Sequence, residues 1–376
     1  MGKSTGPLVL IDGHNAFIRN YVRSPYTDSH GERMGGATGM VVSVRKIIND
    51  FQASNCLVVW DGQGGSQRRK SILSSYKAGR TVRLNEREEN DFGETPEQRM
   101  ENMRRQRNVA QDYLTMLGVP QVRADGVEAD DLIAYLAGKM NHPGGCVIVT
   151  TDQDMLQLVR EASGGCSEEN HADGCSERCT PRVSEVRVYS PVKAKMYDRE
   201  AFISEYAVLP ENFRLVKALT GDKSDNIEGI RGFGVRTVVK LFPELAQKLC
   251  GPATITDKID HELSPTLGKR LAAEKSRFLE NLTLVDLSAP MLSATAARQG
   301  REALRLDLGC KEVEFRVRIV RDGVAFKGDG FVNVFREFVH RRRRVLAETK
   351  AADPVDTGEA AGTGGLPEGE TPPAES

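Results

Sequence analysis

The chain has 376 residues, 39% of them hydrophobic and 28% charged, enough to close a sizeable core as one large domain or two smaller ones. The amino terminus lacks the apolar core of a secretory signal and no apolar run reaches the length of a membrane span, so secreted and membrane classes are set aside and a cytoplasmic protein is expected. Formal net charge is −1, yet the stretch from Ala347 onward carries seven acids against one lysine. That leaves the remaining body at about +5, a balance that keeps a nucleic-acid partner in play.

In chain order, Gly2-Lys3-Ser4-Thr5 has the letters of a P-loop end but no strand and no first glycine before it, and reads as a tail. Three apolar runs of one form follow: LVLID (Leu8 to Asp12), CLVVWD (Cys56 to Asp61) and CVIVTTD (Cys146 to Asp152). Continuous apolar strands of this kind predict a parallel sheet buried on both faces, with helices in the crossovers. Each run ends in aspartate, and ligands of open parallel sheets bind at the carboxyl ends of the strands. Seven cysteines without a secretory signal argue against a disulfide framework, and Cys56 and Cys146 are expected as reduced core residues.

Residues 62–112 are heavily charged with little apolar periodicity in their middle, and predict a protruding element between the second strand and the next helix. That helix is announced by GVEADDLI (Gly126 to Ile133), where three acids crowd one turn. Two unit charges 4 Å apart repel by roughly 4 kcal/mol at a surface-like dielectric, so either water or a cation must separate them. Asp125-Gly-Val-Glu128 also fits a capping box, which would account for one or two of the acids.

Between Val159 and Val183 (160–183), Cys166, His171, Cys175 and Cys179 present four zinc-compatible side chains in C-x4-H-x3-C-x3-C spacing. The spacing is not that of a standard finger, and leaves open a small structural Zn²⁺ site or a polar loop with reduced thiols. A second region, 206–290, holds GIRGFGVRTV (Gly229 to Val238), a glycine-rich turn leading into an apolar helix. Such a turn presents backbone N–H groups and a helix N-terminus to a phosphate. From 291 to 345, FRVRIV and VAFKGDGFVNVF predict strands or a short hairpin ahead of a last helix ending in His340-Arg-Arg-Arg-Arg344, whose arginines are expected on a solvated face that would contact phosphate. The remainder, 346–376, is rich in Gly, Pro, Ala and Glu and is expected to be disordered.

Gathered together, the candidate acids are Asp12, Asp61, Glu128, Asp130, Asp131, Asp152, Asp154, Asp222 and Asp225, with no His or Cys among them. An all-oxygen set suits Mg²⁺ or Mn²⁺ rather than zinc, and a two-ion site of this kind serves in-line phosphodiester displacement. The motifs IDGHN, VWDGQGGSQRRK, YKAGR, GVEADDLIA, TTDQDMLQLV and TGDKSDNIEGIRGFG, in that order from Leu8 to Leu287, resemble those of the 5′-nuclease family. That family takes in phage and bacterial 5′–3′ exonucleases, flap endonucleases and the 5′-nuclease domain of DNA polymerase I.

The resemblance implies an α/β fold over 1–205 with a central, mainly parallel sheet, a helical arch at 62–112, and a helix–hairpin–helix DNA-binding subdomain in 206–290. It implies two metal clusters, Asp12, Asp61, Glu128, Asp130 and Asp131 in one and Asp152, Asp154, Asp222 and Asp225 in the other. Lys77 and Arg80 would act on the scissile phosphate and Tyr76 would stack on a base. Gly229, Arg231, Gly232, Gly234, Arg236, Thr237 and Lys240 would hold the duplex backbone, with K⁺ at the turn carbonyls as in some relatives. The activity implied is Mg²⁺-dependent structure-specific 5′–3′ exonuclease and flap endonuclease hydrolysis of DNA and primer RNA, in replication or repair. The expected partners are duplex DNA with a 5′ single-stranded arm and replication proteins, for a monomeric phage or bacterial enzyme. A PIN-like ribonuclease and a non-catalytic junction-binding protein are the alternatives; the glycine-rich turn with the second acid pair argues against the first, and the intact acid set against the second.

Overall fold

The computed structural model describes residues 6–79, 93–163, 183–258, 264–328 and 330–352. Arg80, the four candidate zinc ligands Cys166, His171, Cys175 and Cys179, Gly2 to Thr5 and the tail from residue 353 lie outside the described residues.

The three apolar runs form β1 (Leu8–Asp12), β2 (Asn55–Trp60) and β4 (Cys146–Val149), joined by β3 (Gln121–Arg123), β5 (Val186–Ser190) and β6 (Lys195–Tyr197) in the order β3-β2-β1-β4-β5-β6. All neighbours run parallel except the β5–β6 edge pair. The runs are apolar throughout because alternate side chains enter two different layers. Leu8 and Leu10 pack with Leu132, Ile133 and Leu136, while Val9 and Ile11 pack with Phe17, Val41 and Phe335. At roughly 1.5–3 kcal/mol for each fully buried aliphatic side chain, a polar residue in either register would be expensive.

Helices cover both faces. In the first half they are α1 (Gly13–Arg23), α2 (Gly35–Asp50), α3 (Gln67–Ile72), α4 (Pro96–Met116) and α5 (Ala129–Lys139). The α4 helix starts in a capping box of Thr95 and Gln98. Farther along it, Gln106 is fully buried, and its Oε1 accepts the α2 amides of Gly36 at 2.7 Å and Ala37 at 3.3 Å. The carboxyl half of 62–112 is therefore packed framework rather than protrusion.

The second half holds α6 (Arg199–Tyr206), α7 (Phe213–Thr220), a two-stranded ribbon of β7 (Gly221–Asp222) and β8 (Ile227–Glu228), and α8 (Val235–Leu241). The short α9 (Pro252–Thr256) and α10 (Pro265–Ala273) lead to α11 (Lys275–Val285), which packs on α7. Then come α12 (Ala294–Arg305), α13 (Glu312–Arg321) and α14 (Asn333–Ala352).

The run FRVRIV, expected as a strand, is corrected to helix α13. Its alternating apolar letters imitate a strand, but the exposures follow a helical spacing of four and three: Val313 at 76%, Val317 at 58% and Val320 at 79% face water while Phe315 is buried. Residues beyond 291 close the core instead of extending it, since Ala296 and Leu304 enter one layer and Phe315, Phe331, Phe335 and Phe338 the other. The arginine run is likewise not simply a solvated face. Arg342 is 1% exposed and donates to Asn55 Oδ1 at 2.8 Å and the Leu304 carbonyl at 2.9 Å. Cys56, Cys146 and Cys250 are buried free thiols, and burial pushes Cys56 and Cys146 up to about 12. No helix among the described residues is long and apolar enough to cross a membrane.

Candidate active site

The chain moves from β1 outward through β2 to β3, then returns to the other side of β1 with β4, so the strand order reverses between β1 and β4. Asp12 ends β1 at that switch point, and Thr150, Thr151 and Asp152 follow β4. The two strand ends are tied together. Thr150 Oγ1 donates to Asp12 Oδ2 at 3.0 Å, Asn15 Nδ2 to Thr151 Oγ1 at 2.6 Å, and the Thr151 amide to Asn15 Oδ1 at 3.1 Å. Asp12 also caps α1 by accepting the Asn15 amide at 3.0 Å. Asp61, at the end of β2, accepts the Ala129 amide at 2.8 Å and so holds the start of α5. The capping box expected of Asp125 and Glu128 does not form: Glu128 is the cap residue without a side-chain cap bond, and Asp125 accepts the Gln63 amide at 3.0 Å.

Asp12, Asp61, Asp130 and Asp152 face one another electrostatically. Burial, then the charges of Asp61 and Asp152, push the Asp12 carboxyl up to about 7, against the hydrogen bond from Asn15. Burial raises Asp130 well above the ordinary carboxylate range; Asp152, Asp12 and Asp61 add to the rise and Lys77 opposes it. Burial and Asp152 push Asp154 up to about 7 in spite of Lys217, whose Nζ lies 3.0 Å from its buried Oδ1. Such a set of buried oxygens is short of positive charge, which is the condition a hard divalent cation relieves.

Among the described residues no three His, Cys, Asp or Glu side chains meet at one coordination point. That geometry still suits Mg²⁺, which keeps several waters and takes one or two carboxylates together with substrate phosphate oxygens. The donor set therefore fits a magnesium-type ion, and it does not suit a closed zinc cage.

The adjacent acids have a different setting. Arg69, 3% exposed, donates to Glu128 Oε2 at 2.6 Å and to both Asp131 oxygens at 2.6 and 3.0 Å, while the Met291 amide donates to Asp131 Oδ1 at 2.8 Å. Asp131, expected among the metal ligands, sits in a buried ion pair in which each of its oxygens accepts from a protein donor. Lys77 Nζ donates to Glu128 Oε1 at 2.7 Å and lies 3.9 Å from Asp225 Oδ2. Burial opposes the Lys77 charge, but Asp130, Glu128 and Asp225 hold its pKa above the ordinary lysine range. Its backbone stands at φ 51°, a left-handed conformation held by the hydrogen bond that the Lys77 N–H donates to the Asp225 carbonyl at 2.9 Å.

Tyr76, expected to stack on a base, is 3% exposed, with its hydroxyl 3.4 Å from Glu128 Oε2 and Lys77 Nζ 5.0 Å from its ring centre. A ring enclosed on this scale has no free face to offer, so the stacking expectation is withdrawn. On the other side of the site, Lys217 bridges Asp154 Oδ1 at 3.0 Å and Asp222 Oδ2 at 2.6 Å, beside a polar cleft of about 440 Å³ lined by Asn15, Asp152 and Asp222 among others.

Strand-end acids, a switch-point pocket and cations set among carboxylates invite comparison with known proteins. The family described as 5′-3′ exonuclease, N-terminal resolvase-like domain, matches residues 7–204. The chain belongs to this 5′-3′ exonuclease family. A thermostable DNA polymerase I from Thermus thermophilus is 29% identical over 311 residues, covering 80% of this chain and 31% of the polymerase, so the chain spans about a third of that relative. A 5′-3′ exonuclease from Halalkalibacterium halodurans is 28% identical over 247 residues, 63% of this chain and 69% of that protein. In three dimensions the chain is similar to the D15 protein of bacteriophage T5, co-crystallised with metal ions, at TM-score 0.54 and 22% identity over 84% of this chain and 99% of that one. It is also similar to a D15 flap endonuclease complex with DNA and metal ions at TM-score 0.55 and 21% identity, over 84% and 99% of the two chains.

In this exonuclease-family chain the glycine-rich turn joins α7 and the β7–β8 ribbon to α8. At Gly229 an added Cβ would lie 2.1 Å from the Thr220 carbonyl oxygen, and Gly232 adopts φ 98°, so both positions require glycine for backbone reasons. Gly234 is the cap of α8 and has open space around it. Arg231, Arg236 and Lys240 are exposed and Thr237 is half-buried. Sequence reading missed Arg69, Lys217, Asn15 and Thr150. Arg69, Asn15 and Thr150 sit inside the motif stretches VWDGQGGSQRRK, IDGHN and TTDQDMLQLV, and Lys217 stands three residues before TGDKSDNIEGIRGFG, but nothing in local spacing says that they reach across the fold to these acids.

Proposed function

We propose that the chain is a divalent-metal-dependent nuclease that hydrolyses DNA phosphodiester bonds near a junction between duplex and a 5′ single strand, acting as a 5′–3′ exonuclease and flap endonuclease. The observation that carries this reading is the group Asp12, Asp61, Asp130 and Asp152 at the carboxyl end of the sheet in a chain of this family, where burial and the charges of their neighbours hold Asp12 and Asp130 above the ordinary carboxylate range. When bound, Mg²⁺ or Mn²⁺ would supply charge neutralisation at the scissile phosphate and activation of the attacking water.

The chain's own groups divide the remaining work. Asp12, Asp61, Asp130 and Asp152 would hold one part of the cation site and Asp154, Asp222 and Asp225 the other, within residues 1–225. Lys77 keeps its proton, so it would stabilise negative charge as a fixed cation and would not serve as a base. Arg80 would reach the same phosphate. Lys217 keeps Asp154 and Asp222 together until a cation replaces part of its charge. The turn from Gly229 to Gly234, with Arg231 and the exposed pair Arg236 and Lys240 one helical turn apart, would grip duplex backbone without reading sequence, as a helix–hairpin–helix does.

Cleavage of a 5′-labelled flap duplex tests the reading. Cutting near the junction in Mg²⁺, absent in EDTA and in an Asp152→Asn variant, is expected. Tight junction binding without cutting in Mg²⁺ or Mn²⁺ would favour a recruiting role instead.

A further inference from the structure

A large cleft lies at the opposite end of the sheet from the acids. It has a volume of about 880 Å³, and its lining residues Pro7, Ser54, Gly145 and Glu185 each come just before the start of a strand. A five-residue strand spans roughly 16 Å, so a phosphate in this cleft is not the phosphate at the strand-end acids.

Three guanidinium groups line it: Arg341 and Arg344 from α14 and Arg187 from β5. Two of them carry buried N–H groups that lack an acceptor, Arg341 Nη2 and Arg187 Nε, the latter 3.4 Å from Glu185 but not hydrogen-bonded to it. A buried donor left unmade is costly, so each side chain has a reason to swing toward an acceptor that enters the cleft. The carboxylates that line the cleft are Glu185 and Glu348, Glu337 lies 4.0 Å from Arg341 one turn back along α14 without lining it, and His142 is neutral, burial having lowered its pKa to about 4. The lining is therefore net positive. Phe51 also lines the cleft, its ring held edge-on to Tyr189 at 5.2 Å.

We propose that this cleft is a second nucleotide site, in which Arg341, Arg344 and Arg187 bind a phosphate and Phe51 packs against a base. Paired arginine forks match phosphate oxygens, an aromatic wall accepts any base face, and the volume is that of a small-ligand pocket. The phosphate comes either from a free nucleotide or from a strand of nucleic acid. The arginine run thus divides its labour: Arg342 supports the core, Arg343 pairs with Asp307 at 2.8 Å, and Arg341 and Arg344 serve the cleft.

The test uses the full chain in EDTA and titrates inorganic phosphate, adenosine monophosphate and a short single-stranded oligonucleotide by calorimetry. The wild type, an Arg341→Gln/Arg344→Gln double variant and an Arg343→Gln control are compared. Saturable binding that the double variant weakens at least tenfold and the control retains is expected. If the mononucleotide shows this loss the ligand is a free nucleotide; if only the oligonucleotide does, it is a strand. Equal affinity in wild type and double variant for all three probes overturns the site. Should the double variant fail to fold, Arg344→Gln and Phe51→Ala singly, with matched melting curves, give the same reading. Flap cleavage by the folded variants stays at the wild-type rate, which separates this proposal from the nuclease reading.

Discussion

Asp130 and Asp131 are neighbours in sequence and opposites in setting. A turn of about 100° along α5 sends Asp131 to Arg69 and the Met291 amide, while Asp130 is left among Asp12, Asp61 and Asp152 with only Lys77 in opposition. One acid is fully satisfied by the protein; the other is part of a set that needs charge from outside. The contrast shows that a dense acidic motif need not be one site. Two of the three acids in EADD, Glu128 and Asp131, build the floor on which the third can remain under-neutralised.

The sharpest way to break the comparison is to remove the floor. Arg69→Ala would leave Glu128 and Asp131 buried without their main partner, and a loss of about 3–5 kcal/mol in chemical denaturation is expected. A loss under ~1 kcal/mol would mean that these acids are not held as described. Next, Asp130→Asn is expected to slow Mg²⁺-dependent flap cleavage roughly 10²–10³-fold, some 3–4 kcal/mol, while leaving the melting temperature equal or higher. Removing one charge from a mutually repelling set does not harm the fold, and that is how the effect differs from a structural one.

A smaller effect is expected from pH. The Asp12 and Asp154 carboxyls, raised to about 7 in the fold, titrate lower when unfolded. Their contribution to stability is therefore present at low pH and lost as pH rises through about 7. Without metal, thermal melts should fall between pH 6 and pH 8 by a few degrees, about 1–2 kcal/mol. With Mg²⁺ the decline should flatten, because the cation then supports the ionised forms. A melt that is independent of pH in EDTA would remove the electrostatic half of the comparison.

Much of this architecture is legible in the amino-acid sequence. The strands stand out because their side chains are buried on both faces, and the acids because three of them close those strands. The second acid group stands out because Asp222 and Asp225 precede a turn in which Gly229 has no room for a side chain. Pairing at a distance is what sequence does not show. Arg69 meets Asp131 across 62 residues, and Lys217 meets Asp154 across β5, β6 and α6. Tyr76 looks available because it stands in a charged segment, yet it is buried with its hydroxyl turned to Glu128. In α13, arginines placed between apolar letters lend a strand-like alternation to a helix whose valines face water.

Metal uptake by the two neighbours puts the division of acids to its most direct test. Mn²⁺ titrated calorimetrically into the wild type, Asp130→Asn and Asp131→Asn, each with its melting temperature, should show uptake lost in Asp130→Asn with melting unchanged or raised. Asp131→Asn should keep its uptake and melt lower. Uptake lost in Asp131→Asn at an unchanged melting temperature, with Asp130→Asn binding normally, would contradict the account.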